Sequence, residues 1–292
     1  MTIAIAQMRV ALADPRKNKQ QMLELIQRAR IAGAETIIFP EFALCGYLAD
    51  ELVNDEGLIA DCAAAAQAIA AAAADIQVIF GNLHRENGVT ESRIFLAVNS
   101  QLAAVPALGS ANYFASTILP APAISSTQTI SLPIDGKERK VLLLLGDWRE
   151  QPLPDTDAEL AIALSPQPLI IGDAKAPLPQ TKLPVIQMGS IGLVSLGKAN
   201  YLFAGCSSFY NTDQQVIAAG AAFAEGLYLW HIDGGECIAA PTGDALLADA
   251  LVAGAGEFCA SINASRAVIG ISGGIDSALA ACVYRQALGA DN

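Results

Sequence analysis

The most constraining feature of this 292-residue chain is the unbroken apolar run Val141–Leu145, in the segment KVLLLLGDWRE. Such a run is typical of a strand buried on both faces, because a half-exposed strand alternates apolar and polar residues. A strand of this kind lies between two further layers of structure. Its carboxyl end is where chemistry is usually found in α/β proteins, yet no Ser, Cys, Thr or Lys stands there.

The segments before this strand alternate as a layered α/β fold requires, in the order β-α-β-α-β-β. The predicted helices are NKQQMLELIQRARIAG, which ends at Gly33, and the alanine-rich LIADCAAAAQAIAAAAA. The predicted strands are TIAIAQMRVAL, ETIIFPEF, DIQVIFGNLHRE (broken at Gly81-Asn82) and RIFLAVNSQLAAV. Further along, AELAIALS predicts a helix followed by a strand, and residues 182–238 predict a series of short strands.

A second, smaller region is predicted after the turn-forming segment Pro241-Thr242-Gly243. DALLADALVAGAGEFCASIN predicts an amphipathic linker helix, and the remaining residues predict the strand AVIGI, a glycine-rich turn and a last helix. We therefore assign residues 1–240 to the first domain and residues 241–292 to the beginning of a second one.

Composition excludes several classes of function. Hydrophobic residues make up 53% of the chain, but the longest apolar runs are too short or too polar to span a bilayer, and no basic leader opens the sequence. A net charge of −12 argues against binding the phosphates of nucleic acid. The six cysteines and two histidines lack the spacing of a metal site. We expect a soluble, cytoplasmic protein with reduced thiols.

The strongest motif is SGGIDS, Ser272 to Ser277, between a predicted strand and a predicted helix. Gly273 and Gly274 let backbone N–H groups close around an anion at the helix N-terminus, and the two serine hydroxyls donate further hydrogen bonds. No Gly-Lys-Ser/Thr follows, so this is not a Walker loop. The alternative is an ordinary turn capped by Asp276 or Ser277.

This motif resembles the pyrophosphate loop of ATP pyrophosphatases, and its flanking residues resemble the start of the synthetase domain in the glutamine-dependent NAD synthetase family. The resemblance implies that Ser272, Gly273, Gly274, Asp276 and Ser277 bind the pyrophosphate of ATP. It also implies Mg²⁺ as a second cofactor, nicotinate-adenine dinucleotide and glutamine as substrates, and a homo-oligomer. Such a domain needs several more βα units, so residues 241–292 are expected to be its truncated beginning, and the least protected part of the chain.

The first domain resembles the glutaminase domain of the same family, a nitrilase-like four-layer α-β-β-α sandwich. The similar segments are IAIAQMRVALADPRKN, FPEFALCGYLADELV and YLFAGCSSFYNTDQQVIAAG. Amidases of this superfamily use a Glu base, a Cys nucleophile and a Lys that stabilises the oxyanion. Glu41 matches the base.

The other two catalytic positions differ from the family pattern. Ala107 stands where the resemblance places the lysine, and Leu145 stands where it places the cysteine, while Asp147-Trp148 match the residues behind it. The second active-site glutamate of the family is also missing. The resemblance therefore implies a degenerate glutaminase site.

Two alternatives remain open at this point. The first is a non-catalytic scaffold that oligomerises or supports a synthetase fed by free ammonia. The second is a carbon-nitrogen hydrolase with a displaced nucleophile, for which Cys45 and Cys206 are the candidates, with Lys137, Lys140 or Lys182 as a replacement cation.

Overall fold

The computed structural model describes residues 2–47, 52–105, 126–134, 136–146, 153, 155–164, 168–170, 181–196 and 199–291. The α-helices are α1 (Pro15–Ile31), α2 (Glu56–Ala72), α3 (Gly243–Ser261) and α4 (Ile275–Leu288), and Leu52–Asn54 form a 3-10 turn. The strands are β1 (Thr2–Gln7), β2 (Ala34–Ile38), β3 (Gln77–Glu86), β4 (Val89–Val98), β5 (Gln101–Ala104), β6 (Ser126–Ile134), β7 (Lys137–Leu145), β8 (Leu160–Leu164), β9 (Val185–Met188), β10 (Ile191–Leu196), β11 (Ala199–Ala204), β12 (Ser208–Tyr210), β13 (Val216–Ala219) and β14 (Gly226–Trp230).

Two six-stranded sheets form the centre of the protein, in the orders β14-β1-β2-β3-β4-β5 and β6-β7-β8-β9-β12-β13. Read in these directions, both sheets have the same series of neighbours: antiparallel, parallel, parallel, antiparallel, antiparallel. Apolar residues of both sheets share one core cluster, so the sheets face each other. The layered α/β architecture predicted from the sequence is confirmed.

Helices α1 and α2 cover the outer face of the first sheet. Each has an acidic N-cap, since Asp14 accepts a hydrogen bond from the N–H of Lys17 and Asp55 accepts one from that of Leu58. The apolar face predicted for α1 is confirmed: Met22, Leu25, Ile26 and Ala29 are buried. In the part of the chain that the structure describes, no helix is long and apolar enough to cross a membrane.

The leucine run forms the buried half of β7. Leu143 and Leu145 join the cluster between the sheets, while Leu142 and Leu144 pack on the opposite face with Ala161 and other residues. The prediction of a strand buried on both faces is therefore confirmed.

The outer face of the second sheet is covered differently from that of the first. Within the described ranges no helix lies on it, and Leu153 and Leu183, from irregular segments, pack against its apolar side chains. The helix predicted at the start of AELAIALS is wrong, because residues 155–159 are irregular and Leu160–Leu164 are strand. Pairing with β7 and β9 on both sides determines the strand there.

Two boundaries in the first sheet also differ from the prediction. Strand β3 continues through Gly81 and Asn82, because these residues pair with Ile94 and Arg93 of β4. RIFLAVNSQLAAV is two strands, β4 and β5, joined by Asn99-Ser100 with φ of 51° and 62°. Positive φ at both turn residues is typical of the tight hairpin turns that match strand twist.

The carboxyl-terminal elements lie against a separate hairpin. Strands β10 and β11 pair with each other, helix α3 packs on this hairpin, and α4 packs on α3. The linker helix, the glycine-rich turn and the last helix are as predicted, but AVIGI is not a strand in the described structure. A strand requires a hydrogen-bonded neighbour, and Val268 of this segment is fully exposed instead.

Candidate functional site

Glu41 lies directly after β2, in a segment that is held to β3 by backbone hydrogen bonds. The N–H of Phe39 donates to the carbonyl of Ile79 at 2.8 Å, and the N–H of Ala43 donates to that of Gly81 at 3.0 Å. Glu41 is only 2% exposed. The hydroxyl of Ser92, on β4, donates to its Oε1 at 2.6 Å. The predicted base is thus a buried carboxylate with a fixed orientation.

Gly81 makes this close approach possible. A Cβ atom at position 81 would lie 2.7 Å from the Cα and 2.9 Å from the Cγ of Glu41, so any other residue would displace the carboxylate. In the sequence, this glycine suggested a break in the strand. An isolated glycine inside a strand pattern also indicates that another backbone passes close by, and that is its role here.

Aromatic side chains enclose the segment that follows Glu41. The ring of Tyr47 contacts Phe42 edge to face at 5.7 Å between centroids, and it contacts Phe203 of β11 at 5.4 Å. Burial raises the pKa of Tyr47 to about 12, with further contributions from the Glu41 carboxylate and Tyr201. Sequence analysis missed Tyr47, Ser92 and the support that β11 gives to this segment.

Leu145 ends β7 and is fully buried in the cluster between the sheets. The same cluster contains Ile38, the last residue of β2, three positions before Glu41. The structure therefore brings the ends of β2 and β7 into one apolar core, with no thiol supplied by β7. Ala107 and Asp147-Trp148, on which the sequence predictions also rest, lie outside the described residues.

The two alternative cysteines have different surroundings. Cys45 is fully buried, and burial followed by contact with Cys62 raises the pKa of its thiol well above the ordinary value. Cys206 is partly buried at a left-handed turn position, with φ of 52°, where the resemblance places a glycine. A catalytic thiol is expected to be partly exposed and to have a lowered pKa, and Cys45 has neither property.

The proposed replacement lysines are also badly placed for a role beside a buried carboxylate. Lys137, Lys140 and Lys182 are all exposed. Lys140 makes an ion pair with Asp157, which is the main cause of the lowered pKa of that carboxyl group. These lysines therefore give no support for an oxyanion-stabilising cation at Glu41.

The SGGIDS turn opens α4 and is accessible to solvent. Gly274 is the N-cap, so no side-chain cap occupies the first turn of the helix, and Gly273 has φ of +86° with no atom within 4 Å of a Cβ placed there. The hydroxyls of Ser272 and Ser277 lie 3.3 Å apart, and that of Ser277 donates to the carbonyl of Gly274 at 3.0 Å.

These donors fit the phosphates of a nucleotide. Backbone N–H groups, two hydroxyls and a helix N-terminus are brought together, and the exposed Asp276 lies in the first turn, where a phosphate-bound cation would be accessible to it. Among the described residues, no cluster of His, Cys, Asp and Glu forms a metal site by itself. A metal ion at this turn would therefore require the phosphates as additional ligands.

Two family models match separate parts of the chain. The carbon-nitrogen hydrolase family model matches residues 2–106, and the NAD synthase family model matches residues 248–292. The glutamine-dependent NAD(+) synthetases of Xylella fastidiosa (strain Temecula1) and Acinetobacter baylyi are each 26% identical, over 100% and 99% of this chain. Along its whole length the chain is thus similar to glutamine-dependent NAD(+) synthetases.

Solved structures of this family and of the nitrilase superfamily share the fold. The NAD+ synthetase of Acinetobacter baumannii, solved with ADP, superposes with a TM-score of 0.81 at 21% identity over 99% of this chain and 58% of that one. An amidase from Nesterenkonia sp. AN1 superposes with a TM-score of 0.59 at 16% identity, over 78% of this chain and 91% of that one. That amidase has an active-site cysteine to which acrylamide adds.

The chain spans only part of the length of its synthetase relatives. The chain covers 57% of the Xylella synthetase and 56% of the Acinetobacter baylyi one. The alignment with the Xylella synthetase runs over 326 residues, more than the 292 of this chain, so that relative carries insertions within the shared region.

Proposed function

We propose that this chain belongs to the glutamine-dependent NAD synthetase family and takes part in the ATP-driven amidation of nicotinate-adenine dinucleotide with free ammonia. We also propose that its first domain does not hydrolyse glutamine. The observation that carries the proposal is Leu145. An amidase of this type needs a thiol at the end of the central strand, and here an apolar side chain is fully buried at that point.

The remaining parts of the site support the same proposal. Glu41 and Ser92 can hold or exchange a proton, but proton transfer alone does not form an acyl-enzyme. Lys137 and Lys140, which lie on β7, are exposed, so neither supplies a cation inside the buried site for a developing oxyanion. Glutaminase activity is therefore expected to be lower by several orders of magnitude than that of a complete site.

The carboxyl-terminal turn supports the nucleotide part of the proposal. When bound, ATP would supply the adenylyl group that activates the dinucleotide carboxylate for attack by ammonia, pyrophosphate would be the leaving group, and Mg²⁺ would neutralise the phosphate charge. The residues of this chain that would hold the pyrophosphate are Ser272, Gly273, Gly274 and Ser277, with Asp276 facing the cation. Binding and orientation of phosphate are the tasks for which this turn has suitable groups.

Glutamate release from glutamine tests the first part of the proposal. The unmodified chain should release no glutamate above the background without enzyme, and treatment with iodoacetamide should change nothing. The double variant Leu145→Cys with Ala107→Lys should move toward activity. Robust turnover by the unmodified chain that alkylation abolishes at Cys45 or Cys206 would overturn the proposal.

A second candidate function is an amide hydrolase with a displaced nucleophile, and Ser92 favours it. Its hydroxyl is 2.6 Å from a buried carboxylate, the distance expected between a nucleophile and its general base. Turnover that resists iodoacetamide and is lost in Ser92→Ala would establish this alternative. If instead Ser92→Ala leaves the background unchanged, the serine only orients Glu41.

A further inference from the structure

The side chain of Gln7, the last residue of β1, makes four hydrogen bonds in a buried position. It is only 1% exposed. Its Nε2 donates to the carbonyl oxygens of Ala221 and Ala224, at 2.7 Å each. Its Oε1 accepts from the backbone N–H and from the hydroxyl of Ser207, at 3.0 Å each. A side-chain amide has two N–H donors and two acceptor lone pairs, so every hydrogen-bonding position of this amide is used.

Two glycines let the chain pass close to this amide. A Cβ atom at Gly205 would lie 2.5 Å from Nε2 of Gln7, and one at Gly189 would overlap the carbonyl oxygen of Gly205. The hydroxyl of Ser207 also accepts a hydrogen bond from the N–H of Gly189, at 3.1 Å. Gly189 directly follows β9 of the second sheet. Gln7 therefore joins the first sheet, the turn between β11 and β12, and the second sheet.

The same amide holds the end of β11 from two sides. Ala204 is the last residue of this strand, and Gly205 follows it directly. The carbonyl oxygen of Ala204 accepts a hydrogen bond from the N–H of Phe223, at 2.8 Å. Phe223 lies in the loop 221–224, whose two ends accept the hydrogen bonds from Nε2 of Gln7. A buried polar network in which every group is satisfied makes such an arrangement rigid.

The strand end held in this way supports the Glu41 site. Phe203, one residue before that end, contacts the ring of Tyr47 at 5.4 Å between centroids. Tyr47 also contacts Phe42, the residue after Glu41. We propose that Gln7 is a positioning residue for the Glu41 site, because its amide fixes the strand end from which Phe203 packs on Tyr47. This role goes beyond the proposed function, since it does not depend on any reaction at the site.

The hairpin β10–β11 has two further attachments, and these give the alternative. Ile191 of β10 makes an isolated bridge with Arg9, and helix α3 packs on the hairpin. If these attachments determine the position of Phe203 by themselves, Gln7 only adds stability. The two cases differ in what happens to Tyr47 when the amide of Gln7 is removed.

Nitration of Tyr47 by tetranitromethane at about pH 8 distinguishes them. The reagent attacks the phenolate, and burial raises the pKa of Tyr47 to about 12, so the unmodified chain should react slowly there. Gln7→Met keeps the length of the side chain and removes all four hydrogen bonds. It should raise the nitration rate by about tenfold or more, because the phenolate fraction rises tenfold for each unit by which the pKa falls. Tyr47 is the only tyrosine of the tryptic peptide 31–85, so mass spectrometry of that peptide gives the rate.

Ile69→Ala is the matched control for a loss of stability alone. Ile69 is fully buried on the carboxyl-terminal half of α2. Both variants should lower the midpoint of thermal unfolding by about 5 to 10 °C. Only Gln7→Met should raise the nitration rate of Tyr47. The partly exposed Tyr284, on α4, should be nitrated equally in all variants and report that the reagent works.

Two results would overturn the proposal. In the first, Gln7→Met is less stable but Tyr47 is nitrated as slowly as in the unmodified chain, which shows that Arg9 and α3 hold the hairpin by themselves. In the second, Ile69→Ala raises the nitration rate as much as Gln7→Met, which shows a general loosening of the fold.

Ser207→Ala keeps the test decisive if Gln7→Met does not fold. It removes the hydroxyl that bonds to Gln7 and Gly189 but retains the backbone N–H, so it should give a smaller rise in the nitration rate of Tyr47. An unchanged rate in this variant would also contradict the proposal. None of these measurements uses glutamine or ATP, so a failure here would leave the proposed function unaffected.

Discussion

The Glu41 site and the SGGIDS turn are the two candidate sites of this chain, and they differ in what surrounds them. Glu41 is buried, bonded to Ser92 and held against Gly81 so closely that no Cβ atom fits between them. The SGGIDS turn is exposed, and nothing lies within 4 Å of a Cβ placed at Gly273. The first site has a rigid framework, to which the described part of β7 supplies no thiol. The second has its chemical groups without a framework.

The comparison shows that the residues of a functional motif and the structure packed around them can be retained separately. The residues around Glu41 still fit together as a catalytic framework would, although Leu145 occupies the position where the resemblance places the cysteine. The groups of the turn are those that bind phosphate, although the segment before them is not a strand in the described structure. Substitutions near Glu41 should therefore lower the stability of the protein strongly, whereas substitutions near the SGGIDS turn should change it little.

The largest effect is expected from Gly81→Ala. The added methyl group would lie 2.7 Å from a backbone atom of Glu41, so the segment or the strand must shift. We expect the free energy of unfolding to fall by about 4 kcal/mol in urea titrations. Gly270→Ala is the matched control, because no atom lies within 4 Å of its added methyl group. Equal stability of the two variants would show that the Glu41 framework is not rigid.

Leu145→Ala should have the next largest effect. Removing most of a fully buried side chain between the sheets should lower the free energy of unfolding by about 3 kcal/mol. Leu279→Ala, on the exposed side of α4 next to the turn, should change it by less than about 0.5 kcal/mol. If Leu145→Ala were neutral, the strand end would be a cavity rather than a filled core.

The ionisation of Tyr47 measures the enclosure of the Glu41 site directly. Its pKa is raised to about 12 in the folded protein from 10.0. The neutral form is therefore favoured by folding, and this contribution to stability is complete below pH 10 and is lost as the pH rises through about 12. An ultraviolet titration should show one late tyrosine that disappears in Tyr47→Phe. If the late step remained in Tyr47→Phe and a tyrosine with an ordinary pKa disappeared, the late step would belong to another residue.

Limited proteolysis compares, in one experiment, how firmly the segments at the two sites are packed. Trypsin should cut first after Arg266, which is exposed in the irregular segment between α3 and α4. The product should be a stable fragment that ends at Arg266, while the segment around Glu41 stays intact. Resistance of the Arg266 bond under conditions that cleave other exposed sites would mean that this segment is covered in solution.

The smallest signal is expected from nucleotide binding. An unsupported loop orders poorly around phosphate, so calorimetry with ATP and Mg²⁺ should detect no binding tighter than roughly 1 mM. Asp276→Ala should give the same result. A micromolar affinity that requires Mg²⁺ and is lost in Asp276→Ala would show that the turn is already organised for its ligand.

Local sequence patterns correctly predicted the helices and strands that depend mainly on residues close in sequence. The leucine run gave the correct burial of β7, the apolar spacing of α1 gave its inner face, and SGGIDS was correctly placed at the start of a helix. Each of these depends on residues that are close in sequence. The assignments of Ala107 and of the domain boundary at residue 240 remain predictions.

Features that depend on distant residues were missed. The contact of Gly81 with Glu41 joins β3 to the segment after β2, and the hydrogen bond from Ser92 spans 51 positions. AVIGI has the composition of a strand, but in the described structure it has no neighbouring strand to pair with. Strand formation depends on a partner and not on composition alone, which explains why this prediction failed.

The hairpin β10–β11 has a consequence for where the protein can be divided. On one side its Phe203 contacts Tyr47, and on the other α3 packs on it, with Leu202 facing Gly254. Glu257 of α3 also forms an ion pair with Arg9, which lies just after β1. A fragment that stops at Pro241 would leave this apolar surface uncovered and would remove the carboxylate of Glu257 from Arg9. The smallest fragment that stays dissolved at high concentration should therefore extend through α3, to Ser261 or beyond.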